Sequence, residues 1–424
     1  MKVIIIGAGI GGLVCAIACR REGLSVTVLE RTAALAPVGA GIQIPPNAAR
    51  VARHLRILEK LRAKSVLLDS IDYLRYENGQ MLFSIDGANT ILDKFGDIWT
   101  VIGRPDYHDV LVNAAREAGV EIKLDSEVDT IDFNNTKIRT KRGETFEADV
   151  IVGADGRASP PTESGDLAYR ATISREQLLA LDDPFINELI QEKSAKCWMG
   201  PDRHCVFYPL AGGEVFNLVL LRPDNLDKDV RQAPGDIDEM RACFEGWDQK
   251  MISCISTVLK WKLCHHEELV TWTKGSVALL GDACHPTLPY QAQGAAMAVE
   301  DGAVLGKLLG LLDKSRLHDE KNHIPEILKL YESLRKTRTT TNVQGANSNR
   351  VSYHLPDGPL QQERDASLSR GVRSLTGVRT HFADLEYLRS LLAFDAVGEA
   401  TQAFERWQAS QTGSSAEKVA AAKL

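Results

Sequence analysis

The sequence predicts an α/β protein: a parallel sheet covered by helices, interrupted in the chain by an antiparallel sheet and followed by a helical C-terminal region. Three observations carry this. Short β-branched runs at 3–6, 25–29 and 149–152 alternate with helical patterns at Leu13–Glu22 and Tyr107–Ala118, as in a helix-covered parallel sheet. Between about 160 and 270 the pattern changes to polar–apolar alternation, as in Cys205–Tyr208 and Phe216–Leu221, with Gly212–Gly213 as a hairpin turn signal between them. The α/β character then returns with a strand at Ser276–Leu280 and helices at Gly294–Leu312 and Ile324–Arg338.

A discontinuous first domain is therefore expected over 1–70, 100–160 and 271–340, a sheet domain over 71–99 and 161–270, and helices over 341–424. The balance of 44% hydrophobic and 25% charged residues in 424 is that of a globular chain with substantial cores. A net charge of −7 offers no basic footprint for nucleic acid, and the ten histidines form no metal-like tract. Neither nucleic acid nor a metal ion is expected as a partner. The apolar run Val3–Ile6 stops at Gly7, too short for a signal-peptide core, and no stretch reaches the ~18 apolar residues of a membrane span. A cytoplasmic monomer or homodimer without a membrane partner is the expectation. Eight cysteines include no CxxC pair, so no zinc site or disulfide framework is signalled, and Cys15 and Cys19 read as buried packing residues.

Chemistry enters with Gly7-Ala8-Gly9-Ile10-Gly11-Gly12, which follows a strand, opens a helix and is answered by Glu30 at the end of the next strand. This is a dinucleotide fingerprint in its proper context, and it makes the first domain Rossmann-like. Gly7 permits the tight turn, Gly9 lets the backbone approach a pyrophosphate, Gly12 lets helix and strand pack closely, and Glu30 suits ribose hydroxyls. Gly11 and Arg31 are grouped with them on the cofactor side. The fingerprint alone does not say which dinucleotide binds. Two later strands run into acid–glycine turns, at Asp149–Gly156 with Asp155 and at Gly275–Pro286 with Gly281–Asp282. There is no second fingerprint and no close cysteine pair, which disfavours the two-dinucleotide disulfide reductases.

In this order, GAGIGG at 7–12, Gly39–Ile44 with Pro46–Asn47, Arg104 with Leu111, GADG at 153–156, and Gly281-Asp282-Ala283 through Gly294–Ala296 to Glu300–Asp301 resemble one family across nearly the whole chain. That family is the single-component FAD-dependent aromatic monooxygenases, the salicylate hydroxylase and 3-hydroxybenzoate 6-hydroxylase group, with fungal members that epoxidise indole alkaloids. The resemblance implies a glutathione-reductase-type FAD domain, with NADH or NADPH as a transient co-substrate. It implies capture of O₂ as a flavin C4a-hydroperoxide and transfer of one oxygen to a small, electron-rich aromatic substrate. An oxidase or dehydrogenase on the same fold, releasing hydrogen peroxide without oxygen insertion, is the alternative.

The resemblance further implies residue roles, each with its own physical reason. Asp282 would accept from the ribityl hydroxyls and Arg104 would meet the pyrophosphate, as acceptor and guanidinium fork respectively. Backbone N–H groups at Gly294 and Ala295 would face the flavin N1–C2=O edge from a helix N-terminus, with Gly41 and Asp155 in the FAD groove and Pro289 beneath the ring. On the substrate side, strand alternation puts His204, Val206 and Tyr208 on one face. His204 and Tyr208 match by spacing the pair that lines the phenol pocket in the 3-hydroxybenzoate 6-hydroxylase branch. Arg170, on the face of Asp166 and Ala168, is a candidate anchor for a carboxylate or oxyanion. Two departures stand out: Pro289 replaces a polar residue of the phenol branch, and the stretch from Gly156 to Gly165 is shorter than the family pattern. Phenol and indole substrates both remain open at this point.

Overall fold

The computed structural model describes residues 1–35, 39–156, 160–253, 259–315, 317, 319–370 and 384–421. Its first sheet has six strands in the order Thr273–Lys274, Val277–Leu279, Val150–Gly153, Lys2–Ile6, Ser25–Leu29, Glu121–Lys123. All neighbours pair in parallel except the first two. Val3, Ile4 and Ile5 are fully buried, as a central strand covered on both faces requires. The strand Val277–Leu279 joins Val150–Gly153 directly, although six of the eight strands of the second sheet lie between them in sequence. The interruption expected from the change of pattern is thus real.

Two helices close over this sheet, Ile10–Arg21 and Gly294–Lys314. They pack backbone to backbone because the second carries glycines every fourth residue. A methyl on Gly302 would come within 2.7 Å of the Cys15 nitrogen, and one on Gly306 within 2.5 Å of the Ala18 methyl. Cys15 and Cys19 are wholly buried in that contact, in keeping with a packing role.

The second sheet has eight strands, drawn from 70–86 and 162–265, in the order Gln232–Pro234, Leu259–His265, Thr162–Ser174, Val215–Pro223, Arg203–Leu210, Ser194–Gly200, Ser70–Arg75, Met81–Asp86. Its pairs are antiparallel except Ser194–Gly200 with Ser70–Arg75. The hairpin Leu210–Val215 turns at Gly212–Gly213 as expected. Pleating divides the sheet into two faces. One buries Tyr169, Phe207, Phe216 and Trp198 under short helices that include Ile237–Cys243. The register places Asp166, Ala168, Arg170, Asn217, Val219, His204, Val206 and Tyr208 together on the other. That inner face turns toward a small sheet of Gly41–Ile44, Thr100–Gly103 and Ser65–Leu67.

The helix expected at Ile324–Arg338 runs unbroken to Tyr353, so the boundary drawn at 340/341 falls inside it. Its later turns bury Thr339, Asn342, Gly345, Ala346, Asn349 and Ser352, a stripe of small and polar residues at helical spacing. The buried face turns polar from Glu332 and Arg335 onward, so apolar periodicity gives no sign of the later turns. The short stretch after Gly156 leads to a strand beginning at Thr162, with residues 157–159 outside the described set. Among the described residues no helix is long and apolar enough to cross a membrane.

Candidate active site

The glycine-rich turn behaves as its residue types demand. Gly7 adopts φ +106°, and a methyl on Gly12 would lie 2.1 Å from the Gly7 carbonyl oxygen, so both positions exclude a side chain. Gly9 differs: nothing lies within 4 Å of where its methyl would be, which leaves an open approach to the backbone. Gly11 packs against Leu280 and Ala298. The Glu30 carboxylate accepts from the Ala8 N–H at 2.9 Å, tying the end of the second strand to this turn, and Arg31 beside it is exposed. His108, from the helix Arg104–Glu117, reaches the Ala8 carbonyl at 2.7 Å.

The two acid–glycine turns meet. A methyl on Gly156 would be 3.8 Å from Cβ of Asp282, so Asp155 and Asp282, both exposed, come to one region from distant parts of the chain. The Gly281 N–H donates to Asp301 at 3.0 Å, which holds the Asp282 turn. Beyond it, Ala292 takes a left-handed φ of 55° just before the helix that begins at Gly294. That helix has no side-chain cap and no acidic residue in its first turn, so its N–H groups at Gly294 and Ala295 remain available to an acceptor.

A buried ionic cluster fixes this region. Arg335 pairs with Glu300 and Asp301, each at 2.7 Å, and Arg338 pairs with Glu300 at 2.8 Å. Asp301 also meets His285, and the Asn47 amide donates to Glu300 at 2.7 Å and to Gln293 at 3.0 Å. Two carboxylates face two guanidinium groups, and this pairing of charges is what lets them be buried. Burial raises the Asp301 carboxyl, but His285 and Arg335 outweigh it and hold it at about 2. Through Gly281 and Gln293 the cluster positions both the Asp282 turn and the helix N-terminus.

The expected substrate-side residues separate into two places. Tyr208 lies against Gly41, where a methyl would come 2.5 Å from its ring, and the Gly41 N–H donates to Asn217 at 3.1 Å. Arg170 is electrostatically coupled to Tyr208 and Arg104, and its Nε has no protein partner. Arg104, exposed, packs its chain against Gly39. Burial raises the Tyr208 hydroxyl although Arg170 pulls it down. Tyr208 and Arg170 thus stand with Gly41 and Arg104, not in the pocket that holds His204.

His204 lines a cavity with Gln43, Tyr73, Trp99, Val206, Tyr290 and Tyr353 among its walls. Pro289, itself exposed, forms part of the rim. The shared face of His204 and Tyr208 is as the alternation requires, and Tyr208 is not among the residues that line this cavity. Four residues along a strand span roughly 13 Å, enough to separate a ring cavity from the Gly41 contact. Sequence reasoning missed Tyr290, Tyr353 and His354. They come from a loop and from the polar end of the long helix, and carried no local signal.

Among the residues present, the open Gly9 backbone, the unpartnered buried Gln293 Nε2 and the free helix N-terminus suit a dinucleotide ending in a heteroatom-rich ring. Residues 1–346 match the family described as FAD binding domain. The chain is 37% identical to FAD-dependent monooxygenase OpS4 of Beauveria bassiana over 87% of its length and 89% of the relative's. To 3-hydroxybenzoate 6-hydroxylase 1 of Aquipseudomonas alcaligenes it is 35% identical, over 73% of this chain and 80% of the other. A salicylate hydroxylase solved with substrate has the same fold, with a TM-score of 0.77 at 22% identity over 95% of this chain and 98% of that one. On these grounds, the chain belongs to the FAD-dependent monooxygenase family.

Proposed function

We propose that the cavity at His204 receives a phenol, and that the enzyme hydroxylates its ring with electrons from NADH or NADPH and one atom of O₂. The observation that carries this is the make-up of the walls: Tyr73, Trp99, Tyr290 and Tyr353 around an imidazole that is 2% exposed. Aromatic walls suit a flat ring, and a neutral imidazole is an acceptor for a phenolic proton. Burial together with His354 pushes the His204 pKa well down, so the ring is neutral at ordinary pH. The charged residue in the described lining, Lys196, is held by Asp72 at 3.0 Å and Glu192 at 2.7 Å, which leaves no free cation there for a carboxylate. Arg170 is an oxyanion or carboxylate anchor only for a substrate long enough to reach Gly41.

FAD, when bound, supplies the reduced ring that activates dioxygen. In this reading Gly7, Gly9, Gly11 and Gly12 receive its pyrophosphate together with Arg104, and Glu30 and Arg31 take the adenosine side. Asp155 and Asp282 meet the polyol, with Gly41 in the same groove, and the N–H groups of Gly294 and Ala295 stabilise negative charge on the ring. The rim from Pro289 to Ala292 excludes water between ring and cavity. His204 takes the phenolic proton, which enriches the substrate ring in electrons at the carbon to be oxidised.

A second reading, oxidation of an indole, is favoured by Pro289, which places an apolar group at the cavity rim. Stopped-flow reduction of the bound flavin by NADH and NADPH, with phenols and prenylated indoles added in turn, separates the two. Acceleration by phenols is expected. If indoles alone accelerate reduction, the second reading stands; if neither class does, both substrate readings fall.

A further inference from the structure

The cavity and the protein surface are joined by two histidines. His204 Nδ1 lies 2.8 Å from His354 Nε2, with the rings 5.0 Å apart. His204 is on the inner face of the sheet and lines the cavity; His354 ends the long helix and is only partly buried. A separate surface pocket is lined by His354 with Asp166, Asp202, Arg350, Pro223 and Leu355. One imidazole thus belongs to the cavity and its hydrogen-bonded neighbour to the outside.

We propose that His354 relays the substrate proton from His204 to solvent. This rests on the phenol reading above. The relay requires His204 to carry its proton on Nδ1 and His354 to accept on Nε2. When a phenol O–H bond breaks, an N–H bond forms at His204 Nε2, the Nδ1 proton passes to His354 Nε2, and His354 releases its Nδ1 proton to water. The products are a phenolate in the cavity and a proton in the surface pocket, with no change of oxidation state.

The surroundings suit this path. His354 faces His204 and Tyr290 on one side, Asp166 from the neighbouring strand, and Arg350 one turn back in its own helix. Asp166 is itself bound by Arg350 at 2.6 Å and by the Tyr290 hydroxyl, so its charge is spoken for and does not trap a proton on the imidazole. Burial, with Arg350, lowers the His354 pKa to about 4 against the opposing pull of Asp166. Both rings therefore rest neutral, the state in which a proton entering at one end can leave at the other. His354 acts through His204 and is a positioning and relay residue. Without it, the buried imidazole would have to hold a charge its site disfavours.

The test uses the FAD-loaded enzyme and 4-nitrophenol, a phenol whose ionisation is visible. After a pH jump, the rate at which the bound phenol ionises is followed by stopped-flow absorbance in the wild type, His354→Asn and His354→Gln. The relay predicts unchanged 4-nitrophenol affinity, a rate lowered by about tenfold or more in both variants, and recovery with imidazole in the buffer. A bound phenol that ionises at the wild-type rate in a folded variant overturns the relay and leaves the phenol reading intact. Should the wild type bind no 4-nitrophenol, the phenol reading fails, and the relay fails with it. Flavin absorbance reports folding, and if one variant loses it the other decides.

Discussion

At the residue scale, the turn Gly7–Gly12 separates two reasons for glycine that look alike in sequence. Gly12 is small because the Gly7 carbonyl lies 2.1 Å from where its methyl would be, whereas Gly9 faces open space. Gly12→Ala is therefore expected to destabilise the flavin-free protein by about 1–3 kcal/mol through overpacking. Gly9→Val should leave the flavin-free melting temperature close to wild type and lower FAD occupancy. Equal melting losses in the two variants would contradict this assignment. Gly7 and Gly12 were legible because a left-handed turn and a close backbone contact admit no other residue. His204 was legible through strand alternation. Its neighbours Tyr290, Tyr353 and His354 were not, since each reaches His204 from a segment far away in sequence. Tyr208 shares the face of His204 but lies against Gly41, because alternation fixes a side and not a position along the strand.

The cluster of Glu300, Asp301, Arg335 and Arg338 acts at the scale of elements. It ties the helix Gly294–Lys314 to the long helix Ile324–Tyr353, while Asn47 brings in the helix Pro46–His54. Arg335→Met would leave two buried carboxylates short of a partner, at a cost of about 3–5 kcal/mol, to be read from urea unfolding. A loss under about 1 kcal/mol would be that of an exposed pair and would contradict a buried role. Asp301 adds a pH dependence. Its folded pKa of about 2 lies below the ordinary 3.8, so its contribution is complete above about pH 4 and falls away as pH drops toward 2. Asp301→Asn should flatten that acid limb, and an unchanged limb in the variant would place the acid sensitivity elsewhere. The sequence showed Glu300–Asp301 as a motif and the helix that carries Arg335 and Arg338, but no local signal joined them, because the ion pairs form only when the two helices pack.

The whole molecule carries, among the described residues, four sheets, of six, eight, three and three strands, with the candidate site at the seam where the Gly41 strand meets the inner face of the largest. Change of pattern along the chain was enough to foresee the parallel sheet, the antiparallel sheet inserted into it and the helices that follow. The seam itself was less legible, because it is built from the Gly41 strand, the inner sheet face and the Pro289–Gln293 loop, which only the folded chain brings together. Membership of the FAD-dependent monooxygenases turns this seam into a claim about oxygen: one atom of O₂ ends in the substrate. The measurement that tests it most directly is turnover under ¹⁸O₂ with NADH or NADPH and whichever phenol accelerates flavin reduction, followed by mass spectrometry of the product. One labelled oxygen per product molecule is the predicted result. Unlabelled product, with hydrogen peroxide formed in step with reductant consumed, would contradict oxygen insertion and identify an oxidase on the same fold.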